Sequence, residues 1–528
     1  MFICSFLKRT ICNNRNDPYL SRQLVYYATA YLLGGVVPKT NQSVADRSLL
    51  SLTWPIFIDL FFIFMINVTD AWFLSRISDS AAASVGAVMP ILGIAFALYS
   101  TLHQGGSSVA SQRIGAGDHD KLATTYGALF VILLFGGMFL TIMMFSFAPT
   151  FAQWMGLNDD MAGMASIYLK TIGMGTWILA IRFAAAAVLT SQGKTHWNMW
   201  STFVMTVVNI VFNYLLIDGK FGFPALGVQG VAYASVIAWA VSLCFTLVII
   251  IKHLKIKVAL PKRWALFKKD SAPILKISIP SVLEPMSWQL TQILMTVMIV
   301  TMGELALATR IYSFNLLFTA ILYGFAVSAG VQIKVAHYIG AKRFDDAHKQ
   351  LILGLKLGVV GAMFFVFTLL AFSDQLFALF TKNVDIWALG KLILLVAIMG
   401  EFGRSFNLIV GSSLRASGDA RYVSIVGFVL MWFIALPLAW LLGLHYAYGL
   451  VGIWIATSLD ECIRGIIAFK RWNSGKWRSK GVYAEEVPVH DPSLNERVDC
   501  QEANDCRNVF NQEPEKPTIK LKLIIQIK

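Results

Sequence analysis

The chain has 528 residues, of which 57% are hydrophobic and 14% are charged, and its formal net charge is +14. Ordinary soluble domains carry about 25% charged residues, so this composition excludes a water-soluble globular fold. The basic residues are scattered over short loops and do not form one folded surface with stacking aromatic residues, so we expect no nucleic-acid partner.

Taken in chain order, the sequence predicts a leader, twelve membrane spans and a tail. The leader, residues 1–46, is compatible with an interfacial helix, an extra span or an unstructured segment. Each apolar segment that follows has the roughly 20 residues that cross a bilayer as a helix, which predicts an all-α polytopic membrane protein. The predicted spans are 49–75, 84–104, 122–148, 163–190, 197–217, 225–251, 273–302, 306–330, 351–373, 387–412, 421–443 and 449–470.

Lysine and arginine indicate the orientation of these spans. They concentrate in the loops after even-numbered spans, whereas the loops after odd-numbered spans hold little more than Arg76, Lys220 and Lys382. By the positive-inside rule, the even-span loops and both termini face the cytoplasm. The chain is therefore predicted to be a multi-pass protein of the cytoplasmic (inner or plasma) membrane, and its polar tail, residues 473–528, is predicted to be disordered.

An internal repeat relates the two halves of the chain. Pro55 and Pro280 are 280 − 55 = 225 residues apart, and Gly115 lies 340 − 115 = 225 residues before Gly340 in matching Ile-Gly-Ala triplets. Six spans per half predict two parallel repeats, between which transporters place their binding site. The expected units are a leader, an N-lobe (47–251), a cytoplasmic linker (252–272), a C-lobe (273–472) and the tail.

Carboxylates inside predicted spans are the first candidate site residues, because a charge at membrane depth costs about 2.5–3.5 kcal/mol. Asp59 and Asp70 share the first span, and eleven residues at about 100° each place both on one helix face. Glu284 occupies the position of Asp59 in the second half, since each follows its proline by four residues. We therefore expect Asp59 and Glu284 to face each other across a central cleft that takes substrate or protons.

Neutral oxygen donors accompany these acids. Asn209 and Asn213 lie four residues apart on the fifth span, and Ser235 lies in the sixth. Hard cations such as Na⁺ prefer oxygen ligands, whereas a proton requires only a carboxylate. Interhelical hydrogen bonds are the simpler alternative for the asparagine pair.

Motifs in both halves resemble one transporter family, the multidrug and toxic compound extrusion (MATE) family. The resemblance spans roughly residues 47–478, and its motifs are Gly193–Thr195, Asn209–Tyr214, Gly227–Ala232, Ile279–Glu284, Leu414–Asp419, Gly452–Ala456 and Asp460–Arg464. It implies a V-shaped pair of six-helix lobes that exports organic cations or xenobiotics against H⁺ or Na⁺ entry. It also implies a cation site in the N-lobe, with Asp70 as the principal ligand and Asn209, Asn213 and Ser235 completing it.

Two departures from the family pattern limit this transfer. Archaeal-type relatives have aspartate where this chain has Asn213, which leaves H⁺ or Na⁺ as the coupling ion. The acidic position of other relatives lies further along the seventh helix than Glu284. Further C-lobe residues that we expect to support the site are Arg310, Asp460, Glu461 and Arg464.

Two other functions are alternatives to a cation-coupled antiporter. A lipid or lipid-linked oligosaccharide flippase would hold phosphate with arginines in its cleft, and Arg182, Arg310 and Arg404 keep that alternative open. An enzyme or receptor would need a nucleophile–base pair, a metal-ligand cluster or a phosphate-binding loop, and none is apparent in the cytoplasmic segments. We expect a monomer that is not an enzyme, uses no cofactor, and meets only small cationic substrates and membrane lipids.

Overall fold

The computed structural model describes residues 44, 47–261 and 263–483, and these residues contain twelve long helices. The prediction of twelve helical spans is confirmed. The bounds are α1 Leu49–Ile77, α2 Asp79–Gly115, α3 His119–Trp154, α4 Asp159–Ser191, α5 Thr195–Asp218, α6 Val228–His253, α7 Trp264–Val300, α8 Glu304–Gly340, α9 Phe344–Ala371, α10 Val384–Ala416, α11 Ala420–His445 and α12 Gly449–Asn473. Val44 is the one residue of the predicted leader that is described; the rest of the leader and the tail beyond residue 483 lie outside the described residues.

Several of these helices are preceded by a residue with a short polar side chain that caps the first turn. The Ser78 hydroxyl accepts a hydrogen bond from the amide of Ala81 at 3.0 Å, and the Asn158 side chain accepts one from Met161 at 2.9 Å. Such caps satisfy amide groups that have no partner inside the helix. The chain therefore turns from one span into the next with very few residues between them.

The outer helix faces are apolar, as a bilayer requires. On α3, Phe135, Phe139 and Ile142 are each at least 60% exposed, and their spacing of four and three residues puts them on one face. Ten helices of the described part are long and apolar enough to cross a membrane. The other two, α7 and α12, carry more charged residues, which include Glu284 and Arg464. The protein is a multi-pass membrane protein.

The helices pack mainly within two sets, which we call the N half (α1–α6) and the C half (α7–α12). In the N half, α3 packs on α4, α5 on α6, and α1 on α5. In the C half, α10 packs on α8 and α12, and α7 on α11. Contacts between the halves run from α1 and α2 to α8, and from α2 and α3 to α7.

Two glycines let the halves touch where α2 and α8 end. A Cβ on Gly340 would lie 1.9 Å from the carbonyl oxygen of Gln112, and one on Gly115 would lie 2.0 Å from that of His337. Both are backbone contacts that cannot rotate away. The sequence repeat therefore coincides with a reciprocal contact, at the end of the bundle that the charge pattern predicts to be cytoplasmic.

Replacing Gly340 with alanine is expected to push these helix ends apart, because ordinary contacts begin near 3.4 Å. Spin labels at Asp120→Cys and Lys342→Cys, in a background without the native cysteines, would measure the separation by pulsed electron paramagnetic resonance. The matched control is Gly136→Ala on α3, where an added Cβ meets nothing within 4 Å. An unchanged distance in the Gly340 variant would show that the contact yields in some other way.

The structure changes two predicted boundaries. The linker was predicted to run from residue 252 to 272, but α7 already begins at Trp264, so the segment between helices is shorter. The tail was predicted to be disordered from residue 473. Residues Lys476–Ser479 instead form a helical turn, with Trp477 buried. Tryptophan burial outweighs the polar composition on which that prediction rested.

Candidate functional site

The four residues predicted for an N-lobe cation site lie together between α1, α5 and α6. The Asn213 amide donates to Asp70 Oδ1 at 2.6 Å, and the Ser235 hydroxyl donates to Asp70 Oδ2 at 3.2 Å. Asn209 donates to Ser235 Oγ at 3.2 Å and accepts from Asn213 at 3.2 Å. The arrangement is one closed network around a single carboxylate.

This network is almost completely shielded from solvent. Asp70 is 5% exposed, Asn209 and Asn213 are 0% exposed, and no arginine or lysine of the described part forms an ion pair with Asp70. Asn213 Oδ1 has no hydrogen-bond partner. A buried carboxylate without a cation is costly, so this site favours binding of a proton or a cation that neutralises Asp70. The amide oxygen of Asn213 offers one further ligand for a cation.

Asp59 points into the same half as Asp70, as their helical spacing predicts. It lies beside Arg182 of α4 and Thr202 of α5. Arg182 itself donates to Thr202 at 2.6 Å and to Ser242 of α6 at 2.8 Å. Asp59 Oδ1 accepts no hydrogen bond, and the positive charge of Arg182 lies close enough to offset part of the cost of burying this acid.

Glu284 lies inside the C half and binds two arginines there. Arg415 of α10 is 2.7 Å from its Oε2, and Arg464 of α12 is 3.4 Å from its Oε1. The expectation that Asp59 and Glu284 face each other across a cleft is therefore wrong. Each acid is directed toward arginines of its own half, because an ion pair offsets the cost of burying a charge.

Arg464 is the centre of a larger charge network. It also binds Asp460 at 2.7 Å and Glu461 at 3.1 Å. Glu461 accepts a further hydrogen bond from Asn407 at 2.8 Å. The residues Asp460, Glu461 and Arg464, which the sequence linked to the C-lobe only as support, thus form one cluster with Glu284.

A cavity, part of it open to solvent, lies next to this network in the C half. Its lining includes Arg310, Glu401, Arg404, Asp460, Glu461 and Arg464 beside the rings of Trp288, Phe314 and Trp454. Ligand sites are typically concave, with mostly apolar walls and a few placed polar groups. The cavity is therefore the candidate substrate site of the described part.

Sequence reasoning missed Glu401 and Arg415. Glu401 is 3% exposed and pairs with Arg404 at 3.2 Å. It lies in the middle of the predicted span 387–412, so the rule that singled out Asp59 and Asp70 also applied to it. Arg415 was assigned to a loop, because that span was predicted to end three residues before it, whereas α10 continues to Ala416.

The sequence repeat shows which acidic residues of the N half have an acidic counterpart in the C half. At the offset of 225, Asp59 corresponds to Glu284, but Asp70 corresponds to Met295 (295 − 70 = 225). Met295 lines the C-half cavity. The carboxylate of the Asp70 network therefore has no counterpart in the C half.

Asp59 and Glu284, which the repeat aligns, each lie next to an arginine, but that arginine belongs to a different helix in each half. In the N half it is Arg182, with Ser242 as its neutral neighbour. Their counterparts are Asn407 (182 + 225) and Arg464 (242 + 222). An acid and an arginine are thus kept together in both halves by different helices.

The chain was compared with known proteins. The MatE family model matches residues 55–215 and 280–441, one stretch in each half and together more than half of the chain. The uncharacterized transporter YisQ of Bacillus subtilis is 37% identical over 446 residues, which cover 83% of this chain and 97% of YisQ. The probable multidrug resistance protein NorM of Thermotoga maritima is 23% identical and covers 86% of this chain and 98% of that protein.

The same fold is seen in a solved structure. A multidrug resistance MATE family transporter of the MOP superfamily in an outward-facing conformation has a TM-score of 0.75 at 19% identity, over 82% of this chain and 96% of that one. These relatives do not support the flippase alternative. With the family model matched once in each half and YisQ aligned over nearly its whole length, the chain belongs to the MatE family of multidrug and toxic compound extrusion transporters.

Proposed function

We propose that this protein is a secondary active antiporter that exports organic cations and other xenobiotics in exchange for H⁺ or Na⁺. The observation that carries the proposal is the Asp70 network. It holds one buried carboxylate that forms no ion pair with an arginine or lysine of the described residues, and an amide oxygen of Asn213 without a hydrogen-bond partner there. Such a site gains stability when a proton or Na⁺ enters it, as a coupling site requires.

The C-half cavity supports the export of an organic substrate in this exchange. Its rings, which include Trp288 and Trp454, favour flat hydrophobic cations, and its acids supply negative charge. Relatives named for multidrug resistance are consistent with this kind of substrate.

The separation of the two sites fits alternating access. Ion and substrate occupy different halves, so they can act on each other only by favouring different arrangements of those halves. The contact of α2 with α8 at the predicted cytoplasmic end is the contact that would have to open. The transporter would act as a monomer in the cytoplasmic membrane with both termini inside.

Purified protein in liposomes that contain ethidium would test the proposal. A pH gradient and a Na⁺ gradient are imposed separately, and ethidium transport is followed by fluorescence. Transport that follows only one gradient identifies the coupling ion. Ethidium movement that ignores both gradients would contradict coupled antiport.

A further inference from the structure

One cation of the C-half cavity has no carboxylate partner. Arg404 is paired with Glu401, and Arg464 is paired with Asp460, Glu461 and Glu284. Arg310 donates only to neutral oxygens, to Thr296 Oγ1 at 2.8 Å and to Gln292 Oε1 at 3.0 Å. No acid of the described part lies within ion-pair distance of it.

The Arg310 guanidinium has N–H groups beyond those that bond to Thr296 and Gln292. Arginine carries five N–H donors in a planar fork that matches a carboxylate, and two of them are used here. Arg310 lines the cavity itself, so the remaining donors are available to a bound molecule. A cation at this place repels an organic cation unless an anion accompanies it.

Arg310 and the acids of the cavity also lie at different depths. Arg310 is the seventh residue of α8, about 9 Å from the helix start at 1.5 Å per residue. Asp460 is about 16 Å along α12, and Glu401 is about 25 Å along α10, and all three helices begin at the same end of the bundle. Arg310, the cation without a carboxylate partner, therefore lies near the outer end of the cavity, whereas the acids lie deeper together with Arg404 and Arg464.

We infer that the C-half cavity selects amphoteric molecules, which place an anionic group on Arg310 and their cationic part among the acids. The inference rests on the proposed export function and specifies its substrate class: compounds with a carboxylate or similar acid in addition to an aromatic cation. Arg310 is then a specificity-determining residue that touches the substrate.

Rhodamine 110 and rhodamine 123 are the probes for this inference. They share one ring system, but the first has a free carboxylate that the second carries as a methyl ester. Binding of each dye to the purified protein is followed by fluorescence anisotropy in wild type and in Arg310→Gln, which keeps hydrogen-bonding capacity without the charge. Lys220→Gln, in the turn that follows α5 in the N half, is the control.

We expect wild type to bind rhodamine 110 at least about tenfold more tightly than rhodamine 123, and Arg310→Gln to abolish that preference by weakening rhodamine 110 alone. Equal affinities in wild type, or equal losses for both dyes, would overturn the inference. Binding needs no gradient, so a protein that binds rhodamine 110 selectively but transports neither rhodamine 110 nor ethidium under either gradient would contradict the proposed antiport and not this inference.

A second inference rests on the chain after α12. We call residues 476–483 the strap. Its first part is anchored in the C half, since the Trp477 ring stacks on Trp472 with centroids 4.0 Å apart and its Nε1 donates to the Trp472 carbonyl at 2.8 Å. Trp477 is 2% exposed.

The last residues of the strap bind the N half. The Val482 amide donates to Gln112 Oε1 of α2 at 2.9 Å, and the Tyr483 hydroxyl donates to Asp118 Oδ2 at 2.7 Å. Gln112 is fully buried and also donates to the carbonyl of Ala416 in the C half. The strap thus crosses between the halves at the end where α2 meets α8.

We propose that the strap stabilises the conformation in which this end is closed, because opening it would separate Val482 and Tyr483 from their partners. The contact is not a pH switch. The hydrogen bond from Lys121, together with that from Tyr483, holds the pKa of Asp118 at about 2, so this carboxylate stays charged at every physiological pH.

The double variant Val482→Pro with Tyr483→Phe removes both donors in the full chain. With spin labels at Asp120→Cys and Lys342→Cys, we expect the ratio of open to closed distances to rise about fivefold or more, as the loss of two hydrogen bonds implies. Arg478→Leu is the control, because its ion pair with Asp345 stays within the C half. A distance distribution that matches the control would overturn the proposal.

Discussion

Replacing Asp70 with asparagine is expected to abolish ion-driven export while the protein stays folded and inserted. Asparagine has the shape of aspartate but cannot take up a proton or neutralise Na⁺, so ion binding would no longer change the free energy of the network. Coupling free energies of about 1–3 kcal/mol correspond to about 5–150-fold, and we expect a loss near the top of that range. Gradient-driven ethidium transport in liposomes measures it.

The stability of the Asp70 variant separates function from folding. Asp70 pairs with no cation, so its neutralisation leaves no opposite charge unpaired, and the thermal unfolding temperature should not fall. Asn67→Ala is the matched control on the same helix, because the Asn67 side chain is exposed and bonds only to the Ile63 carbonyl. Wild-type transport by the Asp70 variant under either gradient would remove this residue from the coupling mechanism.

Replacing Arg464 with leucine is expected to destabilise the protein by about 3–5 kcal/mol, the cost of removing one partner from a buried ion network. Arg464 binds Glu284, Asp460 and Glu461, and its side chain is 6% exposed. Three carboxylates would lose one shared cation. Thermal unfolding in detergent would show the loss as a lower midpoint.

Two comparisons identify the cause of that loss. Adding Asp460→Asn and Glu461→Gln to Arg464→Leu should restore part of the stability, because the orphaned charges are then removed as well. Arg343→Leu breaks a pair with Asp346 at 2.7 Å in which the arginine side chain is 56% exposed, and exposed pairs contribute only about 0–1 kcal/mol. Equal destabilisation by Arg343→Leu and Arg464→Leu would show that burial of the network is not what matters.

Two sites in different halves have a consequence for the transport cycle. The Asp70 network is confined to the N half, since its counterpart in the repeat is Met295, whereas the ionic cavity is confined to the C half. In the proposed antiport, ion and substrate would therefore not compete for one carboxylate. Their exchange would be coupled through the contacts between the halves, which include that of α2 with α8.

The sequence by itself determined the twelve helices, the two repeats and the shared helix face of Asp59 and Asp70. Long apolar segments have one stable backbone state in hydrocarbon, and a fixed helical period places Asp59 and Asp70 on one face. These properties depend on spacing along the chain, which the sequence records directly. That Asn209, Asn213 and Ser235 accompany Asp70 was implied only by the resemblance to a known family.

Only the tertiary structure decided where the charges pair. Glu284 matches Asp59 in the repeat, yet it binds Arg415 and Arg464, which lie 131 and 180 residues further along the chain. Likewise, the strap was predicted to be disordered from its polar composition, but Trp477 stacks on Trp472 and holds it in place. Ion pairs and ring contacts depend on which helix faces meet, and that is set by the packing of whole helices and not by the spacing of residues within one of them.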